Sequence, residues 1–275
     1  MKIAALQTVA TPDLARNLAT AGRLIAEAAG AGAQLVALPE YFCLMGRRDD
    51  DKLAIAEHDG QGPIQDFLTG AAREHGLWLV GGTLPMRSAT PGRVRNASCV
   101  YRPDGQRAAR YDKIHLFAYD NGRERYDEAR VLEAGDTPVA FDATIDGAHG
   151  SEHWRVGLSI CYDLRFPELY RALMKPAPCD LLVVPAAFTY TTGQAHWELL
   201  LRARAVENQC FVLASAQGGT HENGRRTWGH SMLVDPWGVV LAVRDEGEGV
   251  VLAECPLDRR DTVRTQLPAL AHQRL

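Results

Sequence analysis

Arg155-Val-Gly-Leu-Ser-Ile-Cys161-Tyr-Asp-Leu-Arg-Phe-Pro167-Glu-Leu-Tyr-Arg-Ala172 is the stretch on which the reading of this chain turns. The apolar run Val156 to Ile160 has the length of a buried strand and stops at a cysteine, and helix-forming sequence resumes a few residues later. Pro167 suits a first helical turn, because its missing N–H would have no intrahelical acceptor there anyway. A cysteine at a strand end, facing the free N–H groups of an incoming helix, sits where the local field favours thiolate over thiol. Cys161 is therefore a candidate nucleophile, set against a second reading as a buried core cysteine. The rest of the sequence has to choose between them.

Strand and helix signals alternate on both sides of that stretch. Upstream, Ile3 to Leu6 reads as a short buried strand and Asp13 to Ala29 as an Ala-rich helix stopped by Gly30 to Gly32. Gln34 to Pro39 is a second buried strand, followed directly by Glu40. Ile64 to His75 is helical up to Gly76, and Leu77 to Val80 is a strand closed by Gly81-Gly82. Asn96 to Tyr101 and Gln106 to Tyr111 flank Pro103-Asp-Gly105, which is hairpin turn chemistry. Residues 118 to 137 are charged and lack clear periodicity; they read as a long surface loop, a feature more often functional than decorative. Downstream come a helix (Pro167 to Met174), a strand (Asp180 to Pro185), a helix that His196 begins and Glu207 ends, and a strand (Cys210 to Ser215). Ser231 to Val234 and Val239 to Val243 form a hairpin turning at Asp235-Pro-Trp-Gly238. The Arg-rich tail from Asp258 to Leu275 is expected to cross the surface or reach a partner subunit.

The second half repeats the first. Leu35 to Pro39 matches Leu181 to Pro185, Trp78 matches Phe211, and Gly105 matches Gly238. Two copies of such a unit imply two sheets, each covered by helices on one face and packed on the other through the remaining face. No Gly/Ser linker divides them, so a single α/β domain over residues 1–275 is expected. At 275 residues, 46% hydrophobic and 23% charged, the composition is that of a soluble globular enzyme. A net charge of −4 provides no footprint for nucleic acid or an anionic membrane surface. No apolar run approaches the ~20 residues of a membrane span, and the N-terminus does not read as an export signal. The six cysteines then belong in a reducing compartment, with the cytoplasm as the default.

Reactive groups at the ends of buried strands are the ones a fold can aim. Glu40, Lys113 and Cys161 all lie there: a carboxylate, an amine and a thiol, which together suit acyl transfer. Glu40 can take the thiol proton and later activate water, while Lys113 and the Tyr162 N–H hold the oxyanion. Taken singly, a Glu after Leu-Pro can simply open a helix, and a Lys at a strand end can simply be solvated. A Cys–His pair with His115 or His230 as base is the rival arrangement. No C-x-x-C, H-E-x-x-H, phosphate-binding loop or G-x-G-x-x-G after a strand is present, so chemistry without a metal or cofactor fits best.

Leu38-Pro-Glu40-Tyr, Tyr111-Asp-Lys113-Ile-His-Leu-Phe and Ser159-Ile-Cys161-Tyr-Asp-Leu-Arg-Phe-Pro-Glu168 resemble, in order and spacing, the three signature segments of the nitrilase superfamily of carbon–nitrogen hydrolases. The resemblance implies a four-layer αββα sandwich that dimerises through αββα–αββα packing. It implies Glu40 as general base, Lys113 as oxyanion-stabilising lysine and Cys161 as nucleophile. A second family glutamate falls on Glu128, where the wording departs from the commoner pattern and Glu124 and Glu133 lie close by.

Thr192 to Cys210 and Trp228 to Gly238 resemble the amidase branch that acts on 2-oxo acid amides. Their wording implies cleavage of deaminated glutathione to 2-oxoglutarate and cysteinylglycine, a metabolite-repair reaction. Release of ammonia from 2-oxoglutaramate is the alternative, and an acyltransferase or a non-catalytic binding protein on the same fold is the opposing class. A 2-oxo acid carboxylate calls for a cation, for which Arg165 and the Arg202/Arg204 pair are the candidates; Tyr162 and His196 complete the candidate substrate-binding set with Arg165 and Arg202. Structural ion pairs of these arginines with Glu168 or Glu207 are the competing assignment. Lys113→Ala is expected to fold and to lose ~10²–10³ in turnover.

Overall fold

The computed structural model of the chain describes residues 1–122, 124–147 and 150–274. Its first half runs β1 (Lys2–Gln7), α1 (Leu14–Gly30), β2 (Leu35–Ala37), α2 (Asp51–Ala54), α3 (Pro63–His75), β3 (Trp78–Val80), β4 (Leu84–Arg87), β5 (Val94–Tyr101) and β6 (Arg107–Asp112). The first three strands are buried on both faces, and alternate side chains go to different cores, which sets the layers. Ala4, Leu6, Val36 and Leu79 pack under Leu24 and Ile25 of α1 and Ile64 and Leu68 of α3. Ile3, Ala5, Leu35, Ala37, Trp78 and Val80 face the opposite way, into the second half. Local chemistry bounds the helices: Asp13 accepts the Arg16 N–H at the start of α1, and α3 begins at Pro63 and ends at Gly76 in the left-handed conformation. The buried Glu57 carboxylate accepts the N–H groups of Ile64 (2.6 Å) and Gln65 (3.1 Å), capping α3 from outside the helix.

The second half contains β7 (Ala118–Asp120), β8 (Arg125–Asp127), β9 (Ala140–Gly147), β10 (Gly150–Leu158), α4 (Pro167–Leu173), β11 (Leu181–Ala186), α5 (Tyr190–Asn208), β12 (Phe211–Ala216), β13 (Gly218–Thr220), β14 (Arg226–Trp228), β15 (Ser231–Val234) and β16 (Val240–Arg244). β17 (Gly249–Glu254) and α6 (Leu257–Gln266) follow. One sheet has the order β17-β1-β2-β3-β5-β4 with β6 on β5, and the other β16-β15-β12-β11-β10-β9. The parallel trio β1-β2-β3 corresponds to β10-β11-β12, and each continues into an antiparallel hairpin. The match holds to the residue: Leu35 pairs with Trp78 as Leu181 pairs with Phe211, and Gly105 and Gly238 turn their hairpins at φ +85° and +86°. Tyr170 of α4 and Trp197 and Leu201 of α5 complete the core on the far side of the second sheet. The layers are therefore helix, sheet, sheet, helix, as the duplication implied.

Several sequence readings need correction. The stretch 118–137 is not structureless, since it holds the β7–β8 hairpin and a 3-10 turn at Glu128–Arg130. β9 pairs with β10 along its length, and its alternation Phe141-Asp-Ala-Thr-Ile-Asp is the signal of a half-buried strand. α5 starts at Tyr190, so His196 lies within the helix and caps nothing. The tail docks through α6, whose Arg264 donates to the carbonyls of Cys179 (2.6 Å) and Gln209 (3.0 Å), while Arg260 and Arg264 both pair with Asp180. Arg123 of the presumed loop and Leu275 of the tail lie outside the described residues. Among the described residues no helix is long and apolar enough to cross a membrane.

β2 delivers Glu40 to the sheet end because Gly82 lets the chain pass close by. Gly82 has φ +55°, and a Cβ there would lie 2.2 Å from the Pro39 carbonyl oxygen. Gly82→Ala is expected to cost at least about 1–2 kcal/mol for the left-handed backbone alone, and to lower activity by displacing Pro39-Glu40. Urea unfolding alongside an activity assay checks this; wild-type values in both would remove Gly82 from the support of Glu40.

Candidate active site

Glu40 after β2, Lys113 after β6, Glu128 after β8 and Cys161 after β10 meet in one place. The Lys113 ammonium is fully buried and lies 2.8 Å from Glu40 Oε1 and 2.8 and 3.0 Å from the two Glu128 oxygens. Glu40 Oε1 also accepts from Asn96 Nδ2 (2.9 Å), Oε2 accepts the Ala187 N–H (3.0 Å), and the carboxylate lines the cleft together with Cys161. Glu128 accepts the Tyr41 hydroxyl (2.8 Å) and the Phe117 N–H (2.7 Å). Glu124 and Glu133 are engaged elsewhere, with Thr191 and with Arg95 and Ser88. From the second half, Gln217 Nε2 donates to the Glu40 carbonyl oxygen (3.0 Å).

Cys161 opens a 3-10 turn, Cys161–Arg165, with its own backbone in the left-handed region at φ +48°. Asp163 holds that turn. Its fully buried carboxylate accepts the Ile160 N–H (2.8 Å), the Tyr111 hydroxyl (2.7 Å) and the His115 N–H (3.0 Å), and contacts His115 Nδ1 (2.8 Å). Tyr111 and His115 lie two residues either side of Lys113, so one carboxylate locks the nucleophile's turn to the lysine's strand. Sequence reasoning missed Asp163, although it sits within the quoted Cys161-Tyr-Asp. His115, bound to Asp163 and stacked on Phe166 (3.7 Å, 5°), is a structural residue rather than the thiol's base. His230 stacks on Trp228 and contacts the Trp228 carbonyl, which also takes it out of contention.

One ammonium serves two carboxylates here, and the division is unequal. Burial would raise both; the charge of Lys113, its hydrogen bonds and the Phe117 N–H hold Glu128 below its ordinary range. Glu40 stays above it, because burial and the Glu128 charge outweigh the pull of Lys113. Lys113 is itself held well above the usual ammonium range: burial opposes the charge, but the two glutamates overcome it. Burial and the Glu40 charge push the Cys161 thiol well up, against Lys113 and the Ala187 N–H. The expectation of a resting thiolate is thus reversed, because a five-residue turn offers little dipole while a carboxylate stands beside the sulfur. A neutral thiol needs a base, and the Glu40 carboxylate, whose charge acts on it, lines the same cleft. Removing Lys113 would also leave two buried carboxylates without a counter-ion, a change that typically costs about 3–5 kcal/mol, so Lys113→Ala is not the clean catalytic variant the sequence promised. The other five cysteines are unpaired and buried in the core.

The cleft above Cys161 has two arms. One is lined by Tyr162, Arg165, Phe188 and Thr192; the other by Glu40, Tyr41, Met45, Lys52, Tyr126 and Arg225. Phe117, Cys161, Ala187 and Thr189 are common to both. Arg165 lies over Phe188 (5.3 Å) and Tyr162 (5.9 Å) and donates to His196 Nδ1 (3.2 Å); among the described residues no carboxylate, Glu168 included, pairs with it. His196 therefore orients Arg165 from outside the cleft. Arg202 is not in the cleft: its Nε donates to the Gly238 carbonyl (2.8 Å) and its Nη1 pairs with Glu198. Arg204 is buried against Tyr170, the Leu164 carbonyl and Glu207. No cluster of three or more His, Cys, Asp or Glu among the described residues is placed to hold a metal.

A thiol, a carboxylate of raised proton affinity and a buried lysine meet at the strand ends of an αββα sandwich, a set that suits a thiol-dependent hydrolase of the nitrilase type. The carbon–nitrogen hydrolase profile matches residues 2–265, and the chain belongs to that family. It is 41% identical over 273 residues to a deaminated glutathione amidase of Synechocystis, covering 98% of this chain and 97% of that one. It is 37% identical over 275 residues to omega-amidase NIT2 of Xenopus tropicalis, covering 99% and 95%. The crystal structure of Saccharomyces cerevisiae Nit3, a member of branch 10 of the nitrilase superfamily, superposes with a TM-score of 0.82 at 31% identity, covering 98% of this chain and 94% of that one.

Because the Glu128 charge helps to raise Glu40, Glu128→Gln should lower the Glu40 pKa and leave Lys113 to pair with Glu40 alone. A general base works only when deprotonated, so the acidic limb of kcat/KM should move to lower pH while the maximum falls with the weaker base. A pH–rate profile measures both, and an unmoved acidic limb would show that Glu40 does not govern it.

Proposed function

We propose that this enzyme is a thiol amidase, a single hydrolase domain that cleaves the C–N bond of a small 2-oxo acid amide. The observation that carries the reading is the placement of Glu40, which is bonded to the Lys113 ammonium and lines the same cleft as the Cys161 thiol, on which its charge acts. Glu40 takes the thiol proton as Cys161 Sγ attacks the amide carbonyl. Lys113 and the Tyr162 N–H, which has no hydrogen-bond partner among the described residues, stabilise the oxyanion. The C–N bond breaks as Glu40 returns its proton to the leaving nitrogen, and a thioester on Cys161 remains. Glu40 then takes a proton from water, the resulting hydroxide attacks the thioester, and the thiolate leaves and is reprotonated. Glu128 fixes Lys113 through both reactions. Arg165, fenced by aromatic rings and without a carboxylate partner, receives the 2-oxo acid carboxylate, with Tyr162 as one wall of that arm.

The named relatives favour deaminated glutathione as substrate, cleaved to 2-oxoglutarate and cysteinylglycine, over 2-oxoglutaramate. Comparison of kcat/KM for the two, with simple nitriles as controls, should rank deaminated glutathione first; a large preference for 2-oxoglutaramate would move the assignment to ammonia release. Rapid-quench mass spectrometry should find a transient acyl mass on Cys161 that water discharges, and none in Cys161→Ala. An adduct discharged only by an added amine would make the protein an acyltransferase, and full activity in Cys161→Ala would sink the mechanism.

We further propose that the enzyme is a homodimer that works in a reducing compartment such as the cytoplasm, which suits six unpaired cysteines. Leu199 (68% exposed) and Val206 (50%) share a face of α5 beside Trp237 (54%), and Arg202 ties that helix to the Trp237-Gly238 turn. An exposed apolar face of this kind suits a covering copy. Sedimentation velocity should show a dimer that Leu199→Asp weakens; a wild-type monomer at micromolar concentration would refute it.

A further inference from the structure

The arm of the cleft opposite Arg165 carries charge that hydrolysis of a simple amide does not require. Lys52 lines it half-buried, with its ammonium 4.7 Å over the Tyr41 ring, and among the described residues it makes no ion pair or hydrogen bond. Beside it, Arg225 pairs with Asp49 (2.5 Å) and lies over Tyr126 (5.3 Å). Arg226 and Asp127 also face the cleft, and Arg226 is occupied by Glu246 and the Tyr190 ring. Arg225 and Arg226 thus have Asp49 and Glu246 as partners, which leaves Lys52 as the cation of this arm without a paired carboxylate among the described residues.

Proton chemistry tells which arm holds which part of the substrate. The leaving nitrogen must receive its proton from Glu40, and Glu40 lines the Lys52 arm but not the Arg165 arm. The acyl chain then points toward Arg165, and the departing amine points past Tyr41 toward Lys52. Resting on the amidase reading above, we propose that Lys52, supported by Arg225, forms a second anion subsite that binds a carboxylate on the leaving group. The preferred substrate is accordingly a 2-oxo acid amide of an amino acid or short peptide, with an anion at each end, rather than a primary amide that releases ammonia. Burial lowers Lys52 from its ordinary range, opposed chiefly by the Glu128 and Asp49 charges, so a bound carboxylate supplies the close counter-ion that this ammonium lacks.

The test compares two amides that share the 2-oxoglutaryl group and differ only at the far end of the leaving dipeptide, cysteinylglycine against cysteinylglycinamide. Wild-type enzyme should favour the free carboxylate in kcat/KM by about tenfold or more, the discrimination that one charge-assisted contact provides. Lys52→Met should bring that ratio toward one, and Lys52→Arg should restore most of it. The ratio within each variant is what counts, because any general loss of activity cancels. Equal rates for the two amides in wild-type enzyme would overturn the subsite and leave the amidase reading intact. A preference that survives in Lys52→Met would equally remove Lys52 from the role. Failure to hydrolyse either amide, or 2-oxoglutaramate, would overturn the amidase reading and the subsite with it.

Discussion

A single buried ammonium between two carboxylates is the constraint on which this site depends. Lys113 has no water to solvate it, so Glu40 and Glu128 must converge on it, and the strands that carry them must end at the same level. One positive charge cannot neutralise two negative ones. Glu128, fixed additionally by Tyr41 and the Phe117 N–H, keeps the ionised form, while Glu40 retains a raised affinity for a proton. That imbalance is what an acid–base group needs: strong enough to take a proton from a buried thiol, and able to surrender it to a departing amine.

The duplicated architecture supplies the level on which these groups meet, but the two copies do not contribute equally. Glu40 and Lys113 come from the first half; Cys161 and the Ala187 N–H come from the second. With Leu35 to Pro39 laid on Leu181 to Pro185, the counterpart of Glu40 is Ala186, next to the N–H that Glu40 accepts. Asp163 and Gln217 then fasten the halves across the seam, the first to Tyr111 and His115 and the second to the Glu40 carbonyl. Buried polar ties of this sort fix relative position more than they add stability.

How much of this could be read in the sequence followed from where each residue sits. Glu40, Lys113 and Cys161 each follow a recognisable strand, and strand ends in a repeated α/β unit point to a common edge. The layers were legible in the duplication of Leu35–Pro39 as Leu181–Pro185, because two copies of a unit of buried strands and helices imply two sheets packed face to face. Lys52, Tyr126 and Arg225 were not, because they reach the cleft from segments whose course is set by packing rather than by local periodicity. Arg202 misled for a related reason: its spacing from Arg204 says nothing about which face of α5 turns away from the cleft. The thiolate expectation weighed only the turn after Cys161 and left out burial and the charge of Glu40, the carboxylate that the strand-end argument had already set beside the thiol.

Five of the six cysteines lie sealed in the core, and burial pushes Cys43, Cys179 and Cys255 up to about 12, Cys99 to about 11, and Cys210 well above its ordinary range. Cys161 is also a high-lying thiol, but among the six it is the one that lines the cleft, together with the Glu40 carboxylate. Reactivity in the folded protein is therefore concentrated at one sulfur out of six. A small thiol-directed electrophile becomes a counting reagent: the moles consumed by folded protein report the number of competent sites in a preparation, and the same reagent after unfolding reports the total.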